Sequence, residues 1–172
     1  MATPPRNVLR EAWKVLSRVP GGRSLFSRLV GRMAPYTGSI RARIVDLRPG
    51  FAEVEMADRR AVRNHLDCIH AVALVNLAEL CGNVALYYSL PEGSRFIVSG
   101  LTIEYSKKAR GTITAVSECP IPAPGVRAEY KVPVVLRDAS GAEVAHAVLR
   151  SLVGPVATVH KPKPTADRAM VN

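Results

Sequence analysis

Between Ile69 and Tyr88 the chain runs for twenty residues with one carboxylate, Glu79, and two amides, Asn76 and Asn83, in an otherwise largely apolar segment. Spacing and length predict a helix over 69–88 that is apolar on nearly every side. Such a helix must be wrapped by protein or sit in a bilayer. Glu79 and the two Asn argue for a protein core, because an unpaired charge is expensive to bury in lipid.

The flanking sequence supplies the wrapper. Before the helix, Ile40, Ala42 and Ile44 alternate with Arg41, Arg43 and Val45. After Pro49-Gly50, Ala52, Val54 and Met56 alternate with Glu53 and Glu55. This period of two predicts a hairpin. Strand-like segments follow at 95–106, 111–119, 126–137 and 143–153, with turns at Lys107–Gly111, Pro120–Gly125 and Asp138–Gly141. Pro133 inside the third of these predicts a bulge or an edge position, since proline donates no ladder hydrogen bond. The expected fold class is α+β: a long central helix wrapped by a curved antiparallel sheet.

Ahead of the hairpin, residues 7–19 and 23–34 show helical spacing, separated by Pro20-Gly21-Gly22 and stopped by Pro35. Three regions are expected: a helical prefix over 1–37, a main domain over 38–153, and a loose tail over 154–172. The prefix carries Leu9, Ala12, Trp13, Leu16, Leu25, Phe26, Leu29, Val30 and Met33 between basic residues. Packing on the main domain is the preferred reading. A basic amphipathic pair of helices also suits a membrane surface.

The formal charge is +10, with much of it in the prefix and at Lys161, Lys163 and Arg168 of the tail. Nucleic acid, acidic lipid and phosphorylated small molecules all suit such a charge. Aromatics are 5% of the chain and no helix-turn-helix or stacking motif is present, which argues against a nucleic-acid surface. Cys68, Cys81 and Cys119 form no CxxC and no metal-ligand spacing. An odd number of cysteines with no apolar leader run predicts a reducing cytoplasm. Cys68 and Cys81 are expected as packed thiols. No metal or redox cofactor is implied.

The chemistry concentrates where loop becomes helix, at Asn64-His65-Leu66-Asp67-Cys68-Ile69-His70-Ala71 and on to Glu79. A helix start offers unpaired N–H groups and a positive dipole end, suited to a developing oxyanion. A carboxylate two turns further on suits activation of water at a carbonyl. Plainer readings stand beside these. Asn76, Glu79 and Asn83 are also a polar stripe that could face solvent. His70 could cap the first turn, Asp67 could stabilise the helix start, and Asn64 could hold a turn through its own backbone.

The order of elements, with Asn64, His70, Ala71 and Leu77-Ala78-Glu79, resembles the hotdog-fold thioesterases, in particular the phenylacetate-pathway type of acyl-CoA thioesterase and a neighbouring uncharacterised branch. The resemblance covers roughly 38–153. It implies a hotdog fold and hydrolysis of an acyl-CoA or related acyl thioester. Carried over, Ala71 N–H is the oxyanion donor, Glu79 the base or nucleophile, and Asn64 a positioning side chain, with His70 at the helix start. Lys107, Lys108 and Arg110 suit the phosphates of coenzyme A. Thioesterases of this type usually carry Gly-Gly after the His, where this chain has Ala71-Val72. That departure motivates a rival reading, a non-catalytic acyl-thioester-binding protein. The loop lacks the Asn-Pro of the hydratase branch, which argues against hydratase chemistry.

Geometry adds a condition. Ala71 and Glu79 are eight residues apart, so on one helix they stand about 12 Å apart along the axis. One carbonyl cannot touch both. A working site needs Glu79 from a second copy, which predicts a homodimer or a tetramer of such pairs.

Overall fold

The computed structural model describes residues 6–156. Its axis is α4, Ala71–Ser89, and most of that helix is buried. Six antiparallel strands curve around it: β1 (Arg43–Arg48), β2 (Phe51–Met56), β3 (Ser94–Tyr105), β4 (Ile113–Glu118), β5 (Ala128–Arg137) and β6 (Glu143–Pro155), in the order β1-β2-β4-β5-β6-β3. This is the helix in a β wrapper that the sequence predicts, with boundaries shifted by one to three residues. Gly154 and Pro155, which the sequence reading places in the tail, continue β6 and pair with Arg95 and Ser94. Lys161, Lys163 and Arg168 lie outside the described residues.

Small residues let the helix settle onto the sheet. A Cβ at Gly82 would come within 3.0 Å of Leu149 Cδ2 and 3.2 Å of Val132 Cγ1. Ala78 and Ala85 are likewise fully buried. Facing them, Val132, Val134 and Leu136 of β5 alternate inward, as do Ala145, Ala147 and Leu149 of β6. Each fully buried Leu or Val contributes about 1.5–3 kcal/mol through removal of its surface from water.

Two details depart from the sequence reading. β1 starts at Arg43, so Ile40 and Ala42 precede it, and a register shift between Ile44 and Asp46 breaks the simple alternation. Pro133 lies in an interior strand, opposite Val148 of β6. It is tolerated because the β4 ladder ends at the neighbouring pair Ser117–Val134, and the Ser117 hydroxyl donates to the Pro133 carbonyl at 2.8 Å.

The prefix comprises α1 (Val8–Leu16), α2 (Gly22–Met33) and the short α3 (Pro35–Gly38). It packs on the main domain, as expected. Trp13 and Phe26 are buried and meet edge to face at 5.0 Å. Arg10 Nε donates to Tyr88 O at 2.9 Å and Asn7 Nδ2 to Tyr87 O at 2.7 Å. The first satisfies a carbonyl at the frayed end of α4, and the second adds to the Leu90 N–H that Tyr87 O already accepts at 3.2 Å. One helix among the described residues, α4, is long and apolar enough to cross a membrane, and it is the wrapped core helix.

Candidate active site at the head of the central helix

The loop before α4 is fixed from within. Asn64 Oδ1 accepts from Leu66 N–H at 2.9 Å and from Cys68 N–H at 3.4 Å, while Asn64 N–H donates to Cys68 O at 2.9 Å. Asn64 therefore holds the turn with its oxygen. Its Nδ2 makes no hydrogen bond among the described residues, and the side chain lines a cleft beside the helix start. Asp67 does not cap the helix. It sits in the loop with φ of 50°, a left-handed conformation that Asp and Asn adopt more readily than most residues.

The cap is His70, whose Nδ1 accepts from Val72 N–H at 3.1 Å while its carbonyl takes the N–H of Ala73 at 2.9 Å and Leu74 at 3.2 Å. The first-turn N–H groups are thus accounted for with one exception. Ala71 N–H has no partner among the described residues, and Ala71 is exposed at the wall of the cleft.

A second set of bonds fastens this loop to the β3–β4 turn. Ile69 N–H donates to Ala109 O at 2.9 Å, and Arg110 Nε donates to Asp67 O at 3.3 Å. Asp58 accepts from Arg63 at 2.6 Å and from Gly111 N–H at 2.9 Å. The Arg63 hydrogen bond holds the Asp58 carboxyl below its ordinary pKa. A depressed carboxyl contributes stability above the ordinary carboxylate range and loses it as pH falls through the depressed value. Asp58→Asn is expected to lower stability by about 1 kcal/mol at pH 7. The wild-type advantage should shrink as pH is lowered below about 4. Thermal melts across pH 3–7 and amide exchange at Gly111 are the measurements.

The cleft, about 280 Å³, brings together Asn64, Ala71, Tyr105, Lys107 and Lys108 over an apolar floor that includes Leu74. Lys107 Nζ lies 2.6 Å from the Asp138 carboxylate and so has a counter-ion already. Lys108 makes no ion pair among the described residues. His70 lies on the other flank of the helix start, in a smaller hollow with Tyr36, Val62, Val72 and Asn76. Glu79 lines neither, and stands half-buried on the outward face of α4 without an ion pair or hydrogen bond among the described residues.

Two contributors are missed by the sequence reading. Tyr105 donates its hydroxyl to Ala71 O at 3.3 Å, and burial pushes its pKa up, so it remains a neutral donor. Asn76 is not solvated stripe: it is buried, and its Nδ2 donates to Tyr36 O of α3 at 3.1 Å. Cys81 and Cys119 are buried thiols whose pKa burial raises, and Cys68 is buried against Asn64. Among the described residues no group of three His, Cys, Asp or Glu side chains is placed to hold a metal ion.

Residues 22–153 match the family described as a domain of unknown function, DUF4442. The chain belongs to the DUF4442 family. Comparison with curated proteins finds no match for it. Among solved structures, this DUF4442 chain is similar to the structural-genomics target APC5556, at 35% identity and a TM-score of 0.74, over 86% of this chain and 99% of that one. It is similar to PA5026 from Pseudomonas aeruginosa, described as a protein of unknown function and probable thioesterase, at 22% identity and a TM-score of 0.69, over 80% and 97% of the two chains. A third is smu.793 from Streptococcus mutans bound to acetyl CoA, at 18% identity and a TM-score of 0.57, over 65% and 87%. The DUF4442 chain thus has the hotdog fold that the resemblance implies.

Proposed function

We propose that this DUF4442 protein hydrolyses acyl thioesters, with acyl-CoA as the substrate class, at a site formed between two copies of the chain. The observation that carries the reading is the Ala71 N–H at the head of α4, without a partner among the described residues, in a residue that lines the same cleft as Asn64 and Lys108. A similar structure bound to acetyl CoA and another described as a probable thioesterase support the substrate class.

In this reading the thioester oxygen accepts from Ala71 N–H, and the helix dipole favours the negative charge that develops there. Asn64 Nδ2 positions the reacting groups. Glu79 of the partner subunit takes a proton from water as that water attacks the carbonyl carbon. The tetrahedral adduct then collapses, the C–S bond breaks, and the proton passes to sulfur, giving carboxylic acid and thiol. Lys108 and Arg110 suit the phosphates of the nucleotide end, with Lys107 sharing its charge with Asp138. The outward face of α4 suits a covering partner: Glu79 is half-buried there without a hydrogen bond among the described residues. A free edge on β3, which pairs only with β6, is a further surface for such a partner.

Ala71-Val72 in place of Gly-Gly favours one alternative, a protein that binds acyl thioesters without cleaving them. A panel of acyl-CoA thioesters, assayed for both binding and thiol release, separates the two. Release of thiol from at least one member is expected. Binding with no release by the wild-type chain would overturn hydrolysis in favour of the binding role.

A further inference from the structure

We infer that the outer face of the helical prefix docks on an anionic phospholipid bilayer. One face of α1 and α2 is spent on the core through Trp13 and Phe26, yet the prefix leaves a second apolar face in solvent. On α2, Leu25 is 44% exposed, Leu29 43% and Met33 85%, and Tyr36 of α3, 69% exposed, follows them. Leu25, Leu29 and Met33 recur every four residues, so they form one continuous ridge along the helix.

Charge selects the occupant. Residues 1–37 hold seven cations (Arg6, Arg10, Lys14, Arg18, Arg23, Arg28 and Arg32) against one carboxylate, Glu11. Four of the cations are engaged: Arg10 at the end of α4, Lys14 with Glu11, Arg23 over the Trp13 ring, and Arg28, whose Nε donates to Ser24 O at 3.3 Å. Arg28 and Arg32 are exposed, and at 100° per residue they flank the ridge on one side. The same two arginines, with Arg41 and Arg43, rim a cleft of about 950 Å³ between α2 and β1, whose floor includes Val30, Ile44 and Leu80. Arg43 is paired with Glu55 at 2.6 Å, and it is the only one of the four with a carboxylate partner among the described residues. An apolar ridge bordered by arginines, beside a cleft with a basic rim and an apolar floor, matches a leaflet in which phosphates lie above acyl chains.

A second copy of the chain is a poorer occupant. A two-fold contact through this face would bring two copies of the same arginine-bordered ridge together, with no carboxylate on α2 to pair with them. A nucleic-acid backbone would meet the arginines but find nothing to do with Leu25, Leu29 and Met33.

The test is sedimentation of the full-length chain with vesicles of neutral lipid alone and of neutral lipid mixed with phosphatidylglycerol. Binding is expected to the mixed vesicles and to weaken with added salt. Each cation near an anionic leaflet strengthens binding about fivefold, so R28E with R32E should weaken it at least tenfold. L29S with M33S should weaken it by a similar factor while leaving the melting temperature and the hydrolysis of a soluble thioester unchanged. The tail cations are the same in every variant, so they cannot produce these differences. M33W adds an exposed reporter to the buried Trp13, and its emission should shift to the blue on anionic vesicles only. Three results would overturn the inference: equal binding to neutral and anionic vesicles, binding indifferent to both double variants, or a change in oligomer size caused by L29S with M33S.

Discussion

Replacing Ala71 with proline is expected to lower thioester turnover by roughly 10² to 10³ while leaving the fold intact. Ala71 is the first residue of α4, the helix position at which proline is best tolerated, because the N–H it lacks has no helical partner there. The preceding residue must be extended for a proline to follow, and His70 already is, with φ of −65° and ψ of 138°. The substitution replaces that N–H with the ring Cδ and leaves the rest of the helix start in place: His70 still caps Val72 N–H, and Tyr105 still reaches the Ala71 carbonyl. A change in kcat at nearly constant KM, with a melting temperature within a few degrees of wild type, is the signature of a donor used chiefly in the transition state. A71P enzyme that turns over at the wild-type rate would remove Ala71 from the mechanism. Ala71→Gly is the companion measurement. It keeps the N–H and deletes the Cβ that separates this chain from the usual Gly-Gly, so its effect should fall on which acyl groups are accepted.

The helix at the centre is legible in the sequence because its signal is local and strong: an apolar run with small residues at Ala78, Gly82 and Ala85, bounded by strands of period two. The parts that escape are set by distant partners. Asn76 leaves a solvent-facing stripe open as one reading until α3 is laid over it and the Tyr36 carbonyl takes its amide. Pro133 reads as an edge residue because nothing nearby reveals that β4 stops one pair short of it. Lys107 reads as a free cation until the turn after β5 brings Asp138 to it. At the candidate site, the spacing of Asn64, His70 and Ala71 points to one stretch at the head of α4, since loop and helix start are contiguous in sequence. It does not divide the parts among them. His70 and the Asn64 oxygen turn out to build the turn and the cap, which leaves Ala71 N–H as the group with nothing to do. Tyr105 comes from a strand 34 residues further on, and only the fold brings its hydroxyl to Ala71.

Glu79→Gln is expected to lower kcat by about 10² to 10⁴, the range lost when a general base is removed. The side chain keeps its shape and stands half-buried without an ion pair among the described residues, so stability should change by less than about 1 kcal/mol. What makes this variant decisive is its combination with A71P. If Ala71 and Glu79 act on one thioester from the same chain, each variant is dead and mixing the two changes nothing. If they meet across a two-fold axis, a mixed dimer has one ruined site carrying both substitutions and one site carrying neither. Random exchange of subunits makes half of the dimers mixed, and each mixed dimer has one working site of two. Activity should therefore return to about one quarter of wild type. The separation of about 12 Å along α4 excludes the single-chain arrangement on length alone. Failure to recover activity, with subunit exchange verified by mass, therefore points away from Glu79 as the group that activates water.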